Sequence, residues 1–136
     1  MKRYAGLDIG DKTIGIAISD PMLLIAQGLM TLKRKTLEED LEAVIAILQE
    51  QQVTKVIAGL PRNMNDSLGP QAQRVMNFAQ RLKDKSGLEL VYQDERLSTV
   101  AANRVLIESK VRRENRKKVV DKIAATLILQ NYLDGR

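Results

Sequence analysis

The stretch Arg3-Tyr4-Ala5-Gly6-Leu7-Asp8-Ile9-Gly10-Asp11-Lys12-Thr13-Ile14-Gly15-Ile16-Ala17-Ile18-Ser19 decides the fold. Ala5, Leu7 and Ile9 fall on one side of a period-two pattern, and Tyr4, Gly6 and Asp8 on the other, which is the signature of a strand. Gly10 to Thr13 reads as a turn. Ile14, Ile16 and Ile18 then alternate with Gly15, Ala17 and Ser19, so a second strand pairs back on the first as a hairpin. Asp8 stands at the C-terminal end of the first strand, between Gly6 and Gly10. Carboxyl ends of strands are where α/β proteins place ligands, and glycines allow close approach of backbone or ligand. The plain alternative is a turn aspartate ahead of a hairpin.

Outward from the hairpin, Asp20-Pro21 signals a turn and a third strand is expected within Leu23 to Leu32, its limits blurred by Gly28. Thr36 and Glu39 have the spacing of a capping box, followed by a helical stripe of Leu37, Leu41, Val44, Ile45 and Leu48. Val53 to Ala58 is a short apolar run of strand length, and Gly59 to Pro70 a polar loop. Ala72, Val75, Met76, Ala79 and Leu82 mark a second helix closed near Gly87. Leu88, Leu90 and Tyr92 alternate as a fifth strand. Ser98 or Thr99 begins a helix through Ile107, and a last helix carries Val120, Ile123, Ala124, Leu127 and Ile128. The expected order is β-β-β-α-β-α-β-α-α. This is an α/β fold with a mixed five-stranded sheet, three antiparallel strands then two βα units, and helices on both faces. No linker divides residues 1–136, so a single domain is expected.

Composition narrows the chemistry. The 136 residues include no cysteine and no histidine. Thiolate metal sites, disulfides and cysteine nucleophiles are excluded, as is the commonest acid–base group at neutral pH. Any hydrolysis must use carboxylates, lysine, hydroxyls or metal-bound water. No apolar run approaches the length of a membrane span, and the opening residues lack the continuous apolar stretch of a signal peptide. The formal net charge of +5 favours polyanionic partners, though many soluble domains carry as much.

Two more acids stand where a site could form. Glu95, in Asp94-Glu95-Arg96, lies just past the fifth strand, and parallel pairing brings that strand end near Asp8. Asp121 lies beside the apolar stripe of the last helix, where a charge needs a partner or a metal. The bland readings are loop charges partly neutralised by Arg96, and a boundary salt bridge of Asp121 with Lys117 or Lys118. Three carboxylates from separate elements suit Mg²⁺ or Mn²⁺, which prefer oxygen ligands, and one or two such ions support phosphodiester cleavage. Between Lys110 and Lys118 stand Lys110, Arg112, Arg113, Arg116, Lys117 and Lys118. Basic charge at a helix N-terminus opposes the macrodipole, which favours a phosphate partner over a solvated helix start. Lys33-Arg34-Lys35 adds a smaller patch. Arg62, Asn63 and Ser67 in the loop after the fourth strand could contact phosphate or sugar. One Phe, three Tyr and no Trp argue against base stacking along single strands.

With these residues in view, the chain resembles the YqgF/RuvX family of Holliday junction resolvases and pre-16S rRNA nucleases. The resemblance rests on Leu7-Asp8-Ile9-Gly10 with Lys12, Ile14-Gly15 and Ala17. It continues through Gly59-Leu60-Pro61, Asn63-Met64, Gly69-Pro70-Gln71-Ala72, Asp94-Glu95-Arg96-Leu97-Ser98-Thr99 and Lys117-Lys118 with Asp121-Lys122-Ile123-Ala124-Ala125. It implies an RNase H-like fold and metal-dependent nuclease chemistry, with Asp8, Glu95 and Asp121 as catalytic acids and metal ligands and Asp94 as an additional candidate ligand. It also implies a cytoplasmic bacterial protein acting on the 5′ end of precursor 16S rRNA. The family's Asp-Gly-Ser or Asp-Gly-Thr and Glu-Gly-Pro are replaced here by Asn65-Asp66-Ser67-Leu68-Gly69, which changes the loop. The expected nucleic-acid contacts are Lys12, Arg62, Asn63, Arg96, Arg112, Arg113, Arg116, Lys117 and Lys118. Expected partners are precursor rRNA or junction DNA, with ribosomal particles as a further option, no membrane, and a monomer or homodimer. The alternatives are a junction DNA resolvase and a non-catalytic nucleic-acid- or ribosome-binding protein.

Overall fold

The computed structural model describes residues 2–61, 68–94 and 113–136, with side chains of the last segment described from Lys122 onward. Its elements are β1 (Arg3–Ile9), β2 (Thr13–Ser19), β3 (Ala26–Lys33), α1 (Leu37–Glu50), β4 (Val53–Leu60), α2 (Pro70–Ser86), β5 (Glu89–Asp94) and α3 (Arg113–Asp134). One five-stranded sheet has the order β3-β2-β1-β4-β5. β1 pairs antiparallel with β2, and β2 with β3, while β4 is parallel to both β1 and β5. The expected mixed sheet is therefore observed. The helix expected from Ser98 or Thr99 to Ile107 lies outside the described residues.

The period-two pattern assigns the faces. Ala5, Leu7, Ile9, Ile14, Ile16 and Ile18 join one core with Leu41, Val44 and Leu48 of α1 and Val75, Phe78 and Leu82 of α2. Ala17 and Ile57 face the other way, into a second core with Ala125, Ile128, Leu129 and Leu133 of α3. Helices thus cover both faces. On the α3 side, Gly6, Ala17 and Gly28 stand side by side across β1, β2 and β3. This row of small residues lets the helix sink onto the strands: a Cβ at Gly6 would lie 2.6 Å from the Ala125 carbonyl oxygen.

Local signals act largely as expected. Thr36 caps α1 by accepting from the Glu39 amide at 3.2 Å, while its hydroxyl donates to the Glu39 carboxylate at 3.1 Å. The glutamate therefore returns to the cap's hydroxyl, a variation on the reciprocal box. Gly87 closes α2 with φ of 76°, its N–H bonded to the Lys83 carbonyl at 2.8 Å, as a left-handed cap does. Two boundaries differ from expectation. β4 runs through Gly59 to Leu60, because its parallel ladder with β5 continues as far as Asp94. β3 starts at Ala26, and a register shift opposite Ile16/Ala17 puts an irregularity beside Gly28, which explains why its limits were obscure in the sequence.

Candidate active site at the carboxyl edge of the sheet

Asp8 is the penultimate residue of β1, paired across the hairpin with Gly15 and partly buried. It shares a face with Tyr4 and Gly6, the face covered by α3. The contacts along that face fix how the helix lies. Tyr4 meets Tyr132, with ring centroids 6.2 Å apart. Two residues on, Gly6 meets Leu129 and Ala125. The helix thus runs antiparallel to β1. A further two residues along β1, about 6.6 Å, bring the backbone to Asp8. One further turn toward the start of α3, about 6 Å, brings it to Asp121. The backbone register therefore places both positions at the same end of the same face.

Bonds at the other end hold this register. The Lys55 ammonium lies 2.8 Å from the Glu89 carboxylate, donates to the Tyr132 hydroxyl at 3.0 Å and sits 4.8 Å from the Tyr4 ring centre. The Glu89 and Tyr132 bonds, with the charge of the neighbouring phenols, raise the lysine pKa above its ordinary value of 10.5 despite partial burial. The Gln130 carboxamide accepts from the Ala26 amide at 2.8 Å and donates to the Leu24 carbonyl at 2.9 Å. Arg136 donates to the Leu23 carbonyl at 2.7 Å. The C-terminal half of α3 is thereby tied to β4, β5 and the β2–β3 loop.

The remaining candidates are distributed as follows. Asp94 ends β5 on the alternation of Leu90 and Tyr92, which belong to the α1–α2 core. Strand alternation thus sets it on the opposite face from Asp8, whereas Gln93, paired with Gly59, is on the α3 face with Val91. Glu95, one residue past β5, lies outside the described residues, as do Arg62, Asn63, Arg96 and Arg112. Arg113, Arg116, Lys117 and Lys118 occupy the first turns of α3, before Asp121 and so at the Asp8 end of the sheet. Lys12 sits exposed in the β1–β2 turn, three residues after Ile9. Among the described residues no three acidic side chains converge; the side chains of Glu95 and Asp121 lie outside them.

One feature of the site was missed in the sequence. Arg34, counted there within a surface patch, is turned inward. Its Nε lies 3.0 Å from Asp40 Oδ2, its Nη1 donates to the Gly10 carbonyl at 2.9 Å, and its guanidinium covers the Phe78 ring at 5.0 Å. Asp40 is almost fully buried on the inner side of α1 and also accepts from the Lys35 amide at 2.8 Å. The Arg34 amide donates to the Lys12 carbonyl at 2.9 Å, and the Gly10 amide to the Thr13 carbonyl at 2.9 Å. Arg74 of α2 reaches Asp11 at 3.1 Å on the surface. The turn that follows Asp8 is therefore held on three sides. Sequence offered one usable sign: Asp40 falls on the apolar stripe of Leu37, Leu41, Val44 and Leu48, where a charge demands a partner.

The model of the family described as "RuvX: Holliday junction resolvase" matches residues 2–135. A protein of Clostridioides difficile named "Putative pre-16S rRNA nuclease" is 53% identical over 132 residues, covering 97% of this chain and 94% of its own. One of the same name from Thermoanaerobacter pseudethanolicus is 53% identical over 135 residues, covering 98% and 97%. Among solved structures, Thermus thermophilus RuvC in complex with a Holliday junction substrate superposes with a TM-score of 0.64 at 13% identity, covering 100% of this chain and 96% of that one. The fowlpox virus Holliday junction resolvase gives 0.57 at 17% identity, covering 98% and 99%. These two likenesses establish the RNase H-like fold that RuvC shares. With the family match spanning almost every residue, the chain belongs to the RuvX family.

Proposed function

We propose that this protein is a metal-dependent endonuclease acting on structured nucleic acid, with the 5′ end of precursor 16S rRNA as its substrate. The observation that carries the reading is the α3 register, which brings the backbone of Asp121 to the end of the sheet where β1 delivers Asp8. In this reading Asp8, Glu95 and Asp121 hold Mg²⁺ or Mn²⁺. The donor set fits: carboxylate oxygens are what these hard ions take, and a chain without cysteine or histidine offers them neither thiolate nor imidazole. When bound, the ion supplies Lewis-acid polarisation of a phosphoryl oxygen and a water acidified enough to attack at neutral pH. The chain's own residues do the rest. β1 and its clamped turn fix the Asp8 carboxylate before substrate arrives, so little reorganisation is needed. Arg113, Arg116, Lys117 and Lys118 hold phosphates at the same edge, and Lys12 adds a cation from the turn.

The relatives' names favour RNA, while the family description and the junction-bound RuvC fold favour a second reading, cleavage of four-way junction DNA. Incubating the protein with precursor 16S rRNA and with four-way DNA side by side, at stated salt, separates them. The expected result is Mg²⁺-dependent cutting of the RNA at a defined 5′ position, abolished by chelator. Junction cutting with intact RNA would move the assignment to DNA. Tight RNA binding that chelator leaves unchanged, with no product, would reject the nuclease.

A further inference from the structure

We infer that Lys122 is a phosphate contact, held ready by a seat at Gly28, and that the β3 edge of the sheet is part of the path of the substrate backbone. The inference rests on the nuclease reading and extends it to a residue outside the basic segment 110–118. Lys122 follows Asp121 on α3. Its stem lies flat on β3: a Cβ built on Gly28 would meet Lys122 Cγ at 2.7 Å, Cε at 2.8 Å and Thr126 Oγ1 at 3.1 Å. Thr126 is itself fixed, its hydroxyl donating to the Lys122 carbonyl at 2.8 Å. Any side chain at position 28 would displace the lysine. The glycine is therefore the mould in which the stem rests.

Among the described residues nothing balances the charge at the end of that stem. Lys122 is exposed, and its ammonium has no carboxylate or hydrogen-bond partner among the described residues. Lys55 and Lys85, by contrast, each meet a glutamate. An exposed lysine ordinarily keeps its rotamer freedom and loses it on binding. A stem already packed against backbone has given up much of that freedom, so the ammonium binds an anion at lower entropic cost. Farther along β3 on the same face, by strand alternation from Thr13 and Gly15, stand Thr31 and the exposed Lys33. Lys122, Thr31 and Lys33 thus follow one line along the sheet edge, with a cation at each end.

The distance to Asp8 defines the role. Gly28 is two strands from Gly6 in the same row, and Asp8 is one further row up. At strand spacings of about 4.8 Å and a rise of 3.3 Å per residue, the seat lies about 12 Å from Asp8. That is too far for a ligand of the same ion, and suited to a phosphate flanking the scissile one. Lys122 then contributes to substrate affinity and not to the chemical step, so its loss raises KM with kcat nearly unchanged.

The test uses the full chain carrying Asp8→Asn to prevent cutting, with a fluorescent RNA stem–loop bearing a 5′ single-stranded leader, in Mg²⁺ across a salt series. Adding Lys122→Met should weaken binding and lower the slope of log affinity against log salt by roughly one. Lys122→Arg should retain the slope, and Gly28→Ala should lose it with the lysine still present. Equal slopes for the parent and Lys122→Met overturn the contact, and a full slope in Gly28→Ala overturns the seat. If the parent binds neither the stem–loop nor four-way DNA at any salt, the nuclease reading falls and this inference with it. Thermal melts of each variant confirm that folded protein is compared.

Discussion

Replacing Arg34 by methionine keeps most of the side chain's length and apolar contact with Phe78 while deleting the guanidinium. Three interactions go: the 3.0 Å bond to Asp40, the 2.9 Å bond to the Gly10 carbonyl and the stacking over Phe78 at 5.0 Å. The Asp40 side chain is only 3% exposed, so its charge is left with the Lys35 amide at 2.8 Å and almost no water. Breaking a buried pair from one side costs about 3–5 kcal/mol. The arginine is 20% exposed, and one hydrogen bond to Asp40 survives, so we expect the low end, about 3 kcal/mol. That is a large share of the ~5–15 kcal/mol available to a domain, and lowers the melting temperature by about 10 °C. Urea denaturation followed by circular dichroism measures it, with an unchanged m-value confirming the same cooperative unit. Asp40→Asn in the same background should recover part of the loss, because both ends of the pair are then neutral. A loss below about 1 kcal/mol, with additive single and double variants, would show the pair to behave as a surface bridge and refute its role in clamping the Asp8 turn.

Other outcomes follow from the packing of α3. Gly6→Ala should cost about 1–3 kcal/mol by overpacking and, by lifting the helix, reduce cleavage more than Gly87→Ala, where φ of 76° strains the backbone but nothing lies within 4 Å of the added Cβ; melts and initial rates on the two variants check this. The raised pKa of Lys55 makes its contribution to stability fully present below the ordinary value of 10.5 and lost as pH climbs beyond it through the folded value. Lys55→Met should therefore be less stable than the parent at pH 7 to 10, with the difference shrinking above pH 10.5, measured by urea titrations at each pH.

The sheet was legible because the chain announces it in period two. The isoleucines of β2 and the apolar positions of β1 point to one core, and one slip in register would reverse both faces. Helix ends were legible where single residues carry the signal, as with Thr36 and Gly87. Boundaries failed where tertiary pairing overrides composition: Gly59 extends β4 because β5 runs beside it. Arg34 was misassigned because the sequence Lys33-Arg34-Lys35 shows charge but not direction, and the partner that turns it inward is six residues away on another element. Lys122 gave no sign at all, since its seat depends on Gly28, far away in the chain, lying beneath it. Asp8 was placed by its strand. Its relation to Asp121 emerged from Tyr4, Gly6 and the helix that crosses them.

Calorimetric titration of Mn²⁺ into the wild-type protein, Asp8→Asn and Asp121→Asn tests that relation most directly. Mn²⁺ should bind the wild-type chain, and either substitution alone should weaken binding sharply, since one site draws on both carboxylates. Mn²⁺ affinity unchanged by either substitution would contradict it.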